Sequence, residues 1–394
     1  MLSISMKGEK AMRKNKLFRG LLSIILVSLL SIRIVVPVYA VDEQSLSVEE
    51  EMAFSGAVTE QMESLMKHWG GGFPDYYGGA CVIDHQFVIY VTCNPRTVQN
   101  ELREASGSQI LKIVKVQNSY LDLVRESEEI CEIICAYRQM GNDTAMHVTA
   151  SGVDDRANSL FLEYIDDDTM NLAELKEMLC GYDVTFIPTS GKNISFLGNV
   201  TSGVGGVVTN SSTGAWTTIG FCASRTNSAG VQERGFVTAG HAGALSTTMK
   251  INGTSVGKIS WRVFGGIDAA FVNMNDYPNS GYSRTPILSY NYYYTGTATA
   301  VAWNTYVMHG GASSMVTGTL SSTSSSFYYN LIAFNGLLRM NIVGLNGDSG
   351  CPLAANGSQS NFKLLLGTCI ATDGTYTYFN NISTILSSMN GNLF

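Results

Sequence analysis

Helical periodicity stops near residue 200 of this 394-residue chain and returns only at the very end. Past that point, short runs of Val, Thr, Tyr and Ile alternate with Gly, Ser and Asn turns. Phe236-Val237-Thr238, Ala269 to Val272 and Tyr292 to Tyr294 are examples. Runs this short, punctuated this often, cannot build a helical bundle or a helix-crossed parallel sheet; they suit a β-sandwich or barrel. Only Ile382 to Met389 has helical spacing there. Upstream the texture differs. Met52, Phe54, Val58, Met62 and Met66 recur at helical intervals within 45–68, and Leu121, Val124, Ile130, Ile134 and Tyr137 do so within 115–140. Val82 to Thr92 and Leu160 to Tyr164 read as strands, the first of them a hairpin. Residues 41–190 are therefore α+β, and Pro188 to Lys192 opens a small-residue junction.

Charge divides the chain at the same place. Residues 41–200 carry a net charge of about −16 and residues 201–394 about +3. Opposite signs favour attraction between the two parts; the alternative is simply a well-solvated acidic domain. Residues 1–40 read as a secretory signal. Six basic residues from Lys7 to Arg19 precede an apolar run from Leu21 to Ile32, and Val38-Tyr39-Ala40 offers a cleavage site before Val41. An uncleaved anchor is the competing reading, but Arg33 cuts the run short of a membrane span. The processed protein is then expected outside the cell and not in a membrane.

The eight cysteines fit an oxidising destination without requiring one. None has zinc-site spacing. Cys131 and Cys135 lie four apart in a helical stretch and share a face. Cys81 and Cys93 flank the hairpin, either bridging its base or staying as thiols. There is no nucleic-acid motif and no Gly-rich phosphate loop with its lysine, and no cofactor or metal is implied.

Three short motifs carry chemistry. His241 sits in Thr238-Ala239-Gly240-His241, Asp268 in Gly265-Gly266-Ile267-Asp268-Ala269-Ala270, and Ser349 in Gly347-Asp348-Ser349-Gly350. Serine nucleophiles need an imidazole to take the hydroxyl proton and a buried carboxylate to hold that imidazole. Each residue alone has an ordinary reading as a turn or a hydrogen-bonded polar group. Order and scarcity raise them together, because after residue 200 the chain has only His241 and His309 as histidines. The order His, Asp, Ser is that of chymotrypsin-like hydrolases. The α/β-hydrolases and subtilisins run differently, which disfavours an esterase or lipase.

From about residue 200 to 394 the chain resembles the bacterial chymotrypsin-like serine proteases of the α-lytic protease and streptogrisin type. Gly235 to His241, Asp268-Ala269-Ala270, Gly318-Thr319-Leu320, Gly347 to Gly350 and Leu366-Gly367-Thr368 carry the resemblance. More weakly, Tyr77 to Asp84 and Asp154 to Leu160 resemble the pro-regions of that family. The resemblance implies an all-β catalytic domain of two antiparallel β-barrels with the active site between them, preceded by an α+β pro-domain. The division would be signal peptide 1–40, pro-region 41–195 and protease 196–394. The pro-region would aid folding and then inhibit. The protein would be a secreted, self-processing serine endopeptidase acting on protein or peptide substrates. Ser349 would attack, His241 would move the proton, Asp268 would hold His241, and the N–H groups of Gly347 and Ser349 would form the oxyanion hole.

Several positions depart from the family pattern. Cys351 stands where glycine is usual, Ala242 where a bridged cysteine is usual, and Met308 and Thr317 replace a second bridge. Cys351 and Cys369 instead form a candidate disulfide across one hairpin with its tip near 360. Ile370-Ala371-Thr372 replaces the usual Ser-Gly-Gly of the substrate edge, and Val343 stands six residues before Ser349, which favours an apolar side chain at the cleaved residue. His309 aligns with an arginine that pairs with the aspartate before the nucleophile, so His309 is expected to donate to Asp348, as a cation or neutral; the alternative is an ordinary surface histidine beside the Gly310-Gly311 turn. The alternative to a peptidase is a non-catalytic binding protein on a protease fold, its cleft spoiled at Cys351 and Ile370.

Overall fold

The structure is a computed structural model, and it describes residues 47–108, 111–190, 194–196, 207–277, 287–289, 292–356 and 362–393. The expected signal segment lies outside the described residues, as does the hairpin tip near 360. Among the described residues no helix is long and apolar enough to cross a membrane.

The N-terminal part is α+β, as its periodicities require. Helix Val48–His68 opens with a capping box in which Ser47 and Glu50 satisfy each other's main-chain N–H groups. It buries Val58, Met62 and Leu65. The hairpin Tyr77–Ile83/Gln86–Val91 turns through Asp84 and His85, both at positive φ, a two-residue turn whose twist matches the strands. Helix Pro95–Ser106, stopped by Gly107 at φ 69°, carries the chain to the parallel strand Lys112–Lys115. Helix Tyr120–Gln139 follows, with Cys131 buried and Cys135 half-buried.

The second half is all-β, in the two-sheet chymotrypsin-like arrangement that the sequence leads one to expect. One sheet of eight strands curls into a half-barrel in the order Gly391–Leu393, Phe221–Thr226, Gln232–Thr238, Ile267–Asn273, Thr254–Gly265, Thr248–Ile251, Val207–Asn210, Trp216–Thr218. The other closes into a ring. Thr305–His309 pairs with Met315–Tyr329, then Ile332–Met340, Thr377–Asn381, Phe362–Thr372, Pro352–Asn356, and so back to Thr305–His309. Closure removes the exposed edges that would otherwise recruit other strands. Alternating inward residues fill both. Phe236, Met249, Val256, Ile259, Ala270 and Val272 pack in the first. Tyr306, Met308, Leu320, Leu338, Leu353 and Leu366 pack in the ring.

The two parts share a sheet. The far end of Met315–Tyr329 pairs with Val148–Asp154, which pairs with Ser159–Ile165, which pairs in parallel with Val184–Thr189. Gly152 is required at the join, because a Cβ there would lie 2.6 Å from Ser324 O and 2.8 Å from the Ser325 Cα. Arg339 and Glu163 form a buried ion pair at 2.5 Å, and Arg138 donates to Asn330 O at 2.7 Å. Asp155 accepts from Thr323 N at 2.9 Å and from Thr323 Oγ1 at 2.6 Å. Among the described residues Arg339–Glu163 is the sole ion pair across the join, so the opposite net charges are not matched by a row of paired side chains.

Candidate active site

His241 follows the strand Gln232–Thr238, on the short 3₁₀ turn Gly240–Ala242. Gly240 lets the main chain lie directly on the neighbouring strand, since a Cβ there would meet Val263 O at 2.2 Å and Asp268 Oδ1 at 2.7 Å. Asp268, at the start of Ile267–Asn273, is fully buried. Its two oxygens divide their work. Oδ1 accepts from His241 N at 2.8 Å, and Oδ2 lies 2.5 Å from His241 Nδ1. A carboxylate held this way fixes the ring's orientation and leaves Nε2 as the nitrogen turned away from Asp268.

Asn380 anchors this pair from the ring. Its Oδ1 accepts from Asp268 N at 2.9 Å, and its Nδ2 donates to Asp268 O at 2.8 Å and to Thr368 Oγ1 at 3.1 Å. No sequence reasoning singled it out, since Asn is common in this chain's turns and its partner lies more than a hundred residues away.

Ser349 lies on the turn between Ile332–Met340 and Pro352–Asn356. Gly347 and Gly350 both take positive φ, 106° and 84°, where a side chain would strain the backbone. Gly350 also packs so tightly on Ala239 N and Thr238 that a Cβ has no room, which brings the nucleophile turn against the His241 strand. Threonines from the half-barrel hold the turn. Thr218 Oγ1 donates to Gly347 O and Thr217 Oγ1 to Ser349 O, both at 2.6 Å, and Thr218 N donates to Ser349 O at 2.7 Å. Asp348 N bonds to Leu345 O and Gly350 N to Cys369 O. The N–H groups of Gly347 and Ser349 have no acceptor among the described residues. Two such donors on a rigid turn are suited to an oxygen that gains charge.

Ser349 and His241 are not bonded to each other here. Ser349 is fully buried and its hydroxyl donates to Ile370 O at 3.1 Å, while His241 Nε2 is buried with no partner among the described residues. Both are covered by the chain itself. The two-residue strand Ser195–Phe196 pairs antiparallel with the expected substrate edge, Phe196 opposite Ala371 and Ser195 opposite Thr372. The Phe196 ring centre lies 5.1 Å from that of His241.

The expectation of a cationic His309 is corrected. His309 is buried, with its ring edge-on to Tyr292, and burial together with the charge of Lys363 pushes its pKa down to about 4, so it is neutral near pH 7. The Asp348 carboxylate takes main-chain donors: Ala312 N at 2.8 Å, Ser313 N at 3.0 Å and Leu345 N at 2.8 Å. Gly310 makes this approach feasible, because a Cβ there would meet Asp348 Oδ1 at 2.4 Å. The candidate bridge is also corrected. Cys351 and Cys369 face each other across the hairpin but remain two buried thiols, and burial pushes that of Cys351 well above its usual pKa. Cys81 and Cys93 are thiols too. Asp373 is occupied in its own turn by Thr375 N, Tyr376 N and the Tyr378 hydroxyl, and Val343 is exposed. Among the described residues no cluster of His, Cys, Asp and Glu is placed to hold a metal ion.

No known family profile matches the chain, and no curated protein matches it. Solved structures similar to it are bacterial chymotrypsin-like serine proteases that cover about half of it. A Nocardiopsis protease is 26% identical over 48% of this chain and 95% of its own, with a TM-score of 0.39. Thermobifida fusca protease A is 26% identical over 48% and 96%, at 0.39. An α-lytic protease homolog, N4, is 20% identical over 48% and 97%, at 0.40.

Proposed function

We propose that the chain is a serine endopeptidase, made as a precursor that cuts itself and acting outside the cell after loss of residues 1–40. The carrying observation is the His241–Asp268 contact beside a nucleophile turn whose Gly347 and Ser349 N–H groups have no acceptor among the described residues. In the proposed reaction the Ser349 hydroxyl rotates from Ile370 O towards His241 Nε2, a change between staggered rotamers. Oγ attacks the peptide carbonyl as Nε2 takes its proton. Asp268 stabilises the imidazolium, and the two N–H groups receive the oxyanion. Collapse breaks the C–N bond, and His241 returns the proton to the leaving amine. Water then attacks the acyl-enzyme by the same route, releasing the acid and restoring Ser349. Residues 41 to about 195 act as the pro-region in this reading, supported by their strand pairing onto the ring and by Ser195 opposite Thr372 on the expected substrate edge.

One observation favours the second reading, a binding protein on a protease fold: the hydroxyl and imidazole are apart and covered. Fluorophosphonate labelling of the secreted protein separates the two. A peptidase labels at Ser349 and appears as a shortened band. Ser349→Ala should lose labelling, lower hydrolysis by on the order of 10⁶-fold and accumulate as uncut precursor. An unlabelled wild-type protein with no peptide hydrolysis overturns the peptidase reading.

A further inference from the structure

Phe196 does more than cover the imidazole. Five rings surround it, with centroids at 4.8 Å for Tyr329, 5.1 Å for His241, 5.5 Å for Phe264, 5.6 Å for Phe334 and 6.1 Å for Phe327. The box has walls from both sheets. Phe264 ends a strand of the half-barrel, while Phe327, Tyr329 and Phe334 belong to the long hairpin of the ring. The join is tight there, since Gly266 and Asn335 exchange main-chain hydrogen bonds with Ala333 and Gly266. The Phe327, Tyr329 and Phe334 rings meet Phe196 edge to face and the other two are tilted on it, so the box discriminates by shape and by quadrupole.

The backbone of the same segment has a direction. It runs antiparallel along Phe362–Thr372, opposite Thr372 and then Ala371. Ile370, the next residue on that edge, is the one whose carbonyl holds the Ser349 hydroxyl. A peptide laid along this edge therefore brings its next carbonyl towards the nucleophile, one residue after the side chain in the box. Strand addition supplies the affinity of such a site through main-chain bonds, and pockets supply its selectivity.

We propose that Phe264, Phe327, Tyr329 and Phe334, closed by the His241 ring, form a subsite that selects an aromatic side chain on the residue immediately before the one cleaved. Phe196 is its built-in occupant, so Ser195–Phe196 is an internal substrate strand that keeps the cleft shut until it is cut. This rests on the serine peptidase reading above, and the bond chemistry is the hydrolysis given there, with water as the only co-reactant. The substrate class is a peptide with Phe, Tyr or Trp at that position and an apolar residue after it. The precursor's own sequence has that form, Phe196-Leu197-Gly198. Leu197 and Gly198 lie outside the described residues.

Two measurements on the full chain test this. In a time course of the purified precursor, the first new amino terminus is expected at Gly198, and Phe196→Ala is expected to slow that cut about tenfold while Phe196→Tyr restores it. On the processed enzyme, peptides differing only at the position before the cleaved residue should rank Phe above Ala by on the order of 10- to 100-fold in kcat/KM. Tyr329→Ala and Phe264→Leu should shrink that ratio; Tyr329 is the more exposed wall, so its loss spares the core. A first new amino terminus other than Gly198, or equal rates on Phe and Ala peptides by an enzyme that still labels with fluorophosphonate, overturns the subsite and leaves the peptidase standing. Absence of both labelling and hydrolysis overturns the two together.

Discussion

The N-terminal part meets the β-half in two unlike places. At the ring it adds strands to a sheet: Val148–Asp154 pairs with Met315–Tyr329, Arg339 and Glu163 are buried as an ion pair, and Arg138 and Asp155 add hydrogen bonds. At the cleft it adds two residues, Ser195 and Phe196, on the edge at Ala371 and Thr372. The first contact is wide and buried. The second is narrow and lies on the candidate catalytic groups. If the chain is the proposed precursor, a cut beside the narrow contact would leave the wide contact intact, so the N-terminal part would stay bound after the cut. The wide contact also differs from what the charges of the sequence suggest. It depends on strand pairing and one buried pair, which salt screens much less than exposed charges.

The largest effect expected at the wide contact comes from breaking the buried pair. Arg339→Met leaves Glu163 uncompensated and should lower the stability of the full chain by about 3–5 kcal/mol. Pairing it with Glu163→Leu should recover much of that loss, because two apolar groups need no desolvation repaid. Urea denaturation of the three variants measures both steps. If the double variant is as weak as the single one, packing of Arg339 on Tyr376, 3.7 Å from guanidinium to ring centre, carries the contact instead. A smaller loss is expected at Gly152. Gly152→Ala forces a Cβ against Ser324 O and should cost about 1–3 kcal/mol, with the midpoint falling and the candidate catalytic residues untouched. Raising the salt concentration should move the midpoint of the unmutated protein little. A steep fall would return the surface-charge explanation.

Much of the β-half is legible in the sequence, because each of its features is local. The short alternating runs mark strands such as Phe221–Thr226 and Ile267–Asn273. The helix expected over Ile382 to Met389 is Ile382–Ser388. His241, Asp268 and Ser349 are singled out by motif and by the scarcity of His and Asp. What the sequence does not carry is pairing across distance. Asn380 on Asp268, Thr217 and Thr218 on the nucleophile turn, and Phe196 on the ring edge all join segments more than a hundred residues apart, through residue types abundant in this chain. The aromatic box is invisible for the same reason. Its four walls look like ordinary strand residues until two sheets meet. His309 shows a different limit. Alignment places it near Asp348, but its charge state is set by burial and by Lys363, which no local pattern encodes.

The smallest expected effect concerns pH at the wide contact. Asp155 is buried beside Thr323 and Tyr120, and burial, aided by the charge of Asp154, pushes its pKa up to about 7. The folded state therefore holds this proton more tightly than the unfolded chain, whose aspartate titrates near 4. Folded proteins with such a group lose stability as pH rises from the unfolded value to the folded one, and lose no more above it. The contribution is fully present below about pH 4 and gone above about pH 7. Between pH 6 and 8 the loss should be on the order of 1 kcal/mol. Asp155→Asn removes the titration while keeping an oxygen that accepts from Thr323. Its denaturation midpoint should be flat over that interval where the unmutated protein's declines. A midpoint that falls equally in both proteins would place the pH dependence elsewhere and remove Asp155 from the difference between the two contacts.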